Sequence, residues 1–229
     1  MLEPLQKLEH RLKYSFNDIS LLKIALTHRS IGQRNNERFE FLGDSIIGFI
    51  IADHLYHKFN TADEGQLSRL RAALVKKETL ADIARDLELG KYLQLGAGEL
   101  KSGGHARASI LADAVEAIIA AIYLDSDYPT VRNFVSTLYQ DRLEGISLKL
   151  SDKDPKTRLQ EVLQSNKIDL PVYKVIDASG PQHKQLFLVN CAISSLSLTA
   201  TGKGSSKRKA EQDAAQNMLE KYEQYQPAK

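Results

Sequence analysis

Near Gly145 the hydrophobic spacing of this chain changes period, and that switch constrains its fold more than any other feature. Before it, apolar residues recur three and four apart, the spacing of helices that bury one stripe. Leu21, Leu22, Ala25 and Leu26 follow a candidate cap at Asp18, and a long apolar segment runs over 39–58. Leu67, Leu70, Leu74 and Val75 come after the turn Asp63-Glu64-Gly65. Further helices are expected over 79–87, 109–123 and 130–143, with a glycine-rich loop over 95–104. No segment in this part alternates like a strand. From Asp154 onward the pattern differs. Asp154-Pro155 reads as a cap with proline at the first helical position, and Leu159, Val162 and Leu163 form the inner face of a short helix. Tyr173 and Val175 then share one face of a strand, Phe187, Val189, Cys191 and Ile193 that of a second, and Leu196, Leu198 and Ala200 that of a third. A last helix puts Ala210, Ala214, Met218 and Tyr222 on one side. The expected architecture is an all-α domain over 1–146, a linker over 147–153 and a small α+β domain of order α-β-β-β-α over 154–225. A chain of 229 residues has room for both.

Charge says little globally, since the formal net charge is +2. It is unevenly placed: the first 150 residues carry 19 basic and 20 acidic side chains, the rest 12 and 9. Cys191 is the only cysteine, which excludes an intrachain disulfide and a multi-cysteine zinc site. The start, Met1-Leu2-Glu3-Pro4, lacks the basic and apolar regions of a signal peptide. The longest apolar run, 46–52, is far too short to span a bilayer. A soluble cytoplasmic protein without membrane contact is expected.

The segment Asn36-Glu37-Arg38-Phe39-Glu40-Phe41-Leu42-Gly43-Asp44-Ser45 sets three carboxylates among apolar residues. In a helix, at about 100° per residue, Glu37, Glu40 and Asp44 fall on one narrow face. Asp113 and Glu116 form a second pair at i, i+3 on an otherwise apolar helix. Charge on such faces is expensive to desolvate unless a partner compensates it. Were the two helices to pack, Glu40, Asp44, Asp113 and Glu116 would converge, the neighbouring alanines allowing close approach. Hard cations such as Mg²⁺ suit clustered carboxylates, and one or two of them would activate water for attack on phosphorus. The competing reading is that these acids face solvent or pair with Arg38, Arg69 or Arg71.

A second signal is Gly202-Lys203-Gly204-Ser205-Ser206-Lys207-Arg208-Lys209. Ser205 or Ser206 would cap the last helix. Lys207, Arg208 and Lys209 then occupy its first turn, where the helix dipole disfavours cations unless an anion binds there. A nucleic-acid phosphate backbone is the obvious anion; the alternative is a solvated charge run. The strands lack an aromatic pattern for stacking single-stranded bases. Gln160, Glu161 and Gln164 lie off the apolar face of the short helix, placed to meet sugar hydroxyls in an RNA minor groove, and His183 sits in a turn that would probe a groove. Cys191 reads as packing, and His28, with no second histidine at ligand spacing, as structural or positional.

Taken in order, these blocks resemble the bacterial ribonuclease III family. The decapeptide at 36–45 is similar to its signature motif. Leu26-Thr27-His28-Arg29-Ser30, Gly65-Gln66-Leu67-Ser68 and Ile110-Leu111-Ala112-Asp113-Ala114-Val115-Glu116-Ala117 are similar to its other nuclease blocks. The segments 154–161 and 202–210 resemble its double-stranded-RNA-binding domain. The resemblance implies a homodimeric endonuclease domain followed by that RNA-binding domain. Its cofactor would be Mg²⁺, with Mn²⁺ able to take its place. The implied metal-binding and catalytic acids are Glu40, Asp44, Asp113 and Glu116, with Asp44 and Glu116 most direct. Glu37 and Glu64 would support cleavage, and Phe41 would pack across the dimer interface. Implied products are 5′-phosphate and 3′-hydroxyl ends on ribosomal RNA precursors and structured messenger RNAs. Two rival readings are a duplex-RNA binder that does not cut and a metal-dependent hydrolase of small nucleotides.

Overall fold

The computed structural model describes residues 4–148, 154–181 and 185–225, so His183 and most of the expected linker lie outside the described residues. The chain divides into two compact units, Met1–Ser151 and Asp152–Lys229.

The described part of the first unit is helical: α1 (Pro4–Leu12), α2 (Ile19–Ala25), α3 (Glu37–Lys58), α4 (Glu64–Val75), α5 (Lys77–Asp86), α6 (Ala97–Lys101), α7 (Ala108–Asp125), α8 (Tyr128–Leu138) and α9 (Gln140–Gly145). α7 is its axis. Most of its residues from Leu111 to Ile122 belong to the buried core, and α2, α3, α5 and α8 all pack on it. Such a helix, apolar nearly all round, has to be covered on every side. Asp18 caps α2, its side chain accepting from the Ser20 N–H at 2.9 Å. Asp63 and Gln66 close a reciprocal capping box at the start of α4. The end of α7 is tied by Asp125, whose carboxylate accepts from the Tyr14 hydroxyl at 2.7 Å and from the N–H groups of Asn17 and Asp18 at 2.8 Å each.

Three features depart from the sequence reading. The expected helix over 130–143 is two helices, broken at Tyr139, whose ring is fully buried and whose hydroxyl donates to the Leu74 carbonyl at 3.3 Å. Burying that ring takes precedence over continuing the helix. α1 is not among the helices expected from apolar spacing, yet its Leu8 and Leu12 reach the core. The glycine-rich stretch contains the short helix α6.

The second unit contains α10 (Pro155–Ser165), β1 (Val172–Ser179), β2 (Leu186–Ile193), β3 (Leu198–Gly204) and α11 (Lys207–Tyr225). The sheet is antiparallel in the order β1-β2-β3, with Val189 opposite Gly202 and Cys191 opposite Ala200. Leu159, Leu163, Val189, Cys191, Ile193, Ala210, Ala214 and Met218 fill the core. Leu196 is not in a strand: it ends a 3₁₀ turn at 194–196, followed by Ser197 in the left-handed region at φ 53°. Val175 shares its face with Tyr173, as expected, pairing with Val189 as Tyr173 pairs with Cys191, but on the edge strand it is 37% exposed; the register shifts only beyond it, between Val175 and Asp177. The glycine of β3 at 202 is a steric necessity. A Cβ there would lie 2.0 Å from the Ala214 nitrogen, so β3 and α11 touch backbone to backbone.

Candidate active site

α3 and α7 bring Glu40, Asp113 and Glu116 together, with one carboxylate oxygen from each lying within 4.8 Å of the others. All three are half-buried. The helices meet this closely because of Gly43, where a Cβ would stand 1.8 Å from the Glu116 carbonyl oxygen. The expected close approach is therefore real, but its closest point is the glycine inside the acidic segment. A glycine in mid-helix costs about 1 kcal/mol relative to alanine, and that anomaly was the signal available in the sequence.

Asp44 stands one turn beyond Glu40, exposed and outside the group of three. Its charge nevertheless acts on Glu116. Burial pushes the Glu116 carboxyl up to about 8, and the neighbouring charges of Asp44, Asp113 and Glu40 add to the shift. Burial likewise raises Glu40, helped by Asp113 and Glu37 and opposed by Arg29. Asp113 is raised by burial and pulled back by His28, Lys77 and Arg29. Among the described residues no Arg or Lys forms an ion pair with Glu40, Asp113 or Glu116. The ion-pair reading fails for these three. It holds weakly for Glu37, which is exposed and 3.5 Å from Arg29. Half-buried carboxylates with raised affinity for protons and no fixed cation are a donor set that fits a hard divalent metal ion.

Glu116 links stability to pH. The folded chain holds its proton up to about pH 8, whereas an unfolded glutamate releases it near 4.5. Between those values the unfolded state binds fewer protons. Metal-free stability should therefore be full below about 4.5, fall as pH rises towards 8, and level off above. Urea unfolding in EDTA across that range checks this, and Glu116→Gln should flatten the dependence. An equal slope in both proteins would contradict the assignment.

The other candidates lie apart from the cluster. Glu64 is exposed at the start of α4, where its carboxylate accepts from the Ser68 hydroxyl at 3.0 Å. Phe41 points away from the core, 77% exposed, on the helix that also exposes Phe49 and Tyr56. Aromatics of that size at the surface mark an interaction face. In the second unit Gln160, Glu161 and Gln164 are exposed on α10, and Lys207, Arg208 and Lys209 are exposed in the first turn of α11. Ser206 provides the cap, its hydroxyl accepting from the Lys209 N–H at 3.2 Å. A hollow of about 550 Å³ has Gln160 on one wall and Lys207 and Arg208 on the other. Cys191 is buried, as expected of a packing residue. His28 shares an open hollow with Glu37, its Nδ1 2.9 Å from the Ser30 hydroxyl.

Comparison with known proteins gives both units relatives. The Ribonuclease-III-like family model matches residues 18–143, and the double-stranded RNA binding motif matches residues 155–222. Ribonuclease 3 of Vibrio atlanticus is 56% identical over 220 residues, 96% of this chain and 98% of that protein. Ribonuclease 3 of Aliivibrio fischeri is 57% identical over 211 residues, 92% of this chain and 95% of its own length. Among solved structures, the nuclease domain of ribonuclease III from Campylobacter jejuni superposes with a TM-score of 0.60 at 41% identity, covering 64% of this chain and 100% of that one. A second structure of that domain, which describes flexibility in a region involved in dimer formation, gives 0.59 at 43% identity over 60% of this chain and 96% of its own.

Proposed function

This chain belongs to the ribonuclease III family, and from that premise we propose that it is a Mg²⁺-dependent endonuclease of double-stranded RNA whose cleavage site is the carboxylate cluster of α3 and α7. At the coarser level, it is a double-stranded-RNA-specific endoribonuclease with a divalent-metal requirement. The observation that carries the proposal is the convergence of Glu40, Asp113 and Glu116 without a fixed cation, in a chain that also has a duplex-RNA module.

In the proposed reaction the oxygen of water joins phosphorus and the P–O3′ bond breaks. The 3′ oxygen takes a proton, leaving a 5′-phosphate and a 3′-hydroxyl. Bound Mg²⁺ would supply Lewis acidity at the attacking and leaving oxygens. The chain supplies the rest. Glu40, Asp113 and Glu116 would hold the ion on two rigid helices, and Gly43 sets the gap between those helices. Asp44 adds negative charge at the rim and completes the set of four acids. Glu37 and Glu64 support the RNA around the site. The exposed aromatic face at Phe41 is assigned to a second copy of the chain. The nuclease domain is placed at 1–146, the linker at 147–153 and the RNA-binding domain at 154–225, with the cytoplasm as the compartment. No helix of the described residues is long and apolar enough to cross a membrane.

Labelled duplex RNA incubated with Mg²⁺ or with EDTA tests the proposal. Cleavage only with the metal, giving 5′-phosphate ends, is the expected result; binding without cleavage under both conditions would refute it. The RNA contacts have their own test. Replacing Lys207, Arg208 and Lys209 with glutamine should weaken duplex binding about equally across sequences. It should also lower the slope of log affinity against log salt by roughly 1 for each phosphate that the protein no longer neutralises. An unchanged slope would mean that the three cations are merely solvated.

A further inference from the structure

Gln212 joins the two helices that carry the proposed RNA contacts. It sits half-buried on α11, just past the basic turn. Its side-chain oxygen accepts from the backbone N–H of Lys156 at 3.1 Å, and its amide nitrogen donates to Asp154 Oδ1 at 2.7 Å. The N–H of Lys156 is one of the groups that the first turn of α10 leaves without an intrahelical partner. Asp154 is the N-cap of that helix, accepting from the Thr157 N–H at 3.2 Å and the Thr157 hydroxyl at 3.0 Å. An N–H requires an acceptor and a carboxylate requires a donor, so only one orientation of the Gln212 amide satisfies both partners. A second tie lies beside it. The Lys156 ammonium is 2.7 Å from Glu211 and 4.4 Å above the Tyr173 ring, so that cation is engaged inside the module.

We propose that Gln212 is a positioning residue for RNA selectivity, holding the start of α10 against α11 so that Gln160, Glu161 and Gln164 meet sugar hydroxyls while Lys207, Arg208 and Lys209 hold phosphates of the same duplex. The inference rests on the RNA-binding reading of the second unit. A-form RNA presents minor-groove hydroxyls and phosphates at fixed spacing, so the protein has to fix its own. The two kinds of contact tolerate error differently. Attraction between a cation and a phosphate falls off gradually with distance, whereas a hydrogen bond to a hydroxyl fails within a few tenths of an ångström. Loosening α10 therefore removes the hydroxyl hydrogen bonds first and leaves the phosphate attraction in place. Because the 2′-hydroxyl is what separates RNA from DNA, selectivity falls while salt dependence persists.

The test uses the full chain in EDTA with duplex RNA and duplex DNA of one sequence. Gln212→Leu keeps the bulk and removes both hydrogen bonds. It should weaken RNA binding about tenfold and DNA binding less than about twofold, with an unchanged salt slope, as for the loss of two ordinary hydrogen bonds. Gln212→Glu should lose selectivity too, since its carboxylate faces that of Asp154. An unchanged RNA-to-DNA ratio in Gln212→Leu or in Gln212→Glu would overturn the inference. So would equal weakening on both duplexes, which is what a partly unfolded module would give. A wild-type chain without preference for RNA would instead refute the RNA-binding reading itself, and this inference with it.

Discussion

Glu116→Gln is expected to slow cleavage of duplex RNA by about 10²–10³-fold, while changing duplex affinity by less than about threefold. Removing one preorganised electrostatic contact to a developing charge costs about that much. The substitution keeps the size of a half-buried side chain on α7 and removes only its ability to become an anion. Burial and three neighbouring acids raise the Glu116 carboxyl to about 8, so it gives up its proton readily only when a cation arrives. Glutamine offers a cation much less. Binding is spared because the proposed RNA contacts, exposed on α10 and α11, belong to the other unit. Metal-free stability at neutral pH should rise, since the neutral amide lacks the cost of ionising a buried carboxyl. Single-turnover cleavage and duplex affinity in EDTA are the measurements. A wild-type cleavage rate would sink the assignment of Glu116, and joint loss of cleavage and binding would point to a general structural defect.

Gly43→Ala should destabilise the chain by roughly 2–4 kcal/mol, the upper range for overpacking a closed contact. Helix propensity alone predicts the opposite sign, a gain of about 1 kcal/mol. The tertiary contact decides, because the new methyl would meet the Glu116 carbonyl oxygen at 1.8 Å and its carbon at 2.4 Å. Backbone atoms have no rotamer by which to move aside, so α3 and α7 must separate. Glu40 would move away from Asp113 and Glu116, and a displacement of about 1 Å can cost about 10²-fold in rate. Urea unfolding, and cleavage assayed well below the midpoint, would measure the two effects. Gly98→Ala is the control: a Cβ there has nothing within 4 Å, and stability should shift by no more than about 0.5 kcal/mol. Wild-type stability in Gly43→Ala would mean that the helices do not touch there.

Much of this was legible in the residues because it is local. Spacing of apolar positions placed α3, α5, α7, α10 and α11 to within a few residues, and the caps at Asp18 and Asp154 follow from side chains reaching their own helix starts. The acids on α3 and α7 stood out for the same reason, as charges on faces otherwise too apolar for them. What escaped the sequence was non-local. The break at Tyr139 depends on a ring packing in the core, with its hydroxyl bonded to Leu74, 65 residues earlier. The register shift of β1 against β2 between Val175 and Asp177 is likewise something that alternation along one strand does not reveal.

By itself the sequence determined the two-part architecture, the helices that carry the acids and the basic turn of α11, because backbone periodicity and capping act within a few residues. Tertiary structure decided which acids meet. Glu40, Asp113 and Glu116 converge, while Asp44 stays at the rim and Glu37 remains at the surface, because one glycine lets two backbones touch. It also decided that Gln212, which no local pattern singles out, joins α10 to α11. Such distances are set by packing between elements far apart in the chain, and no repeat along one element records them.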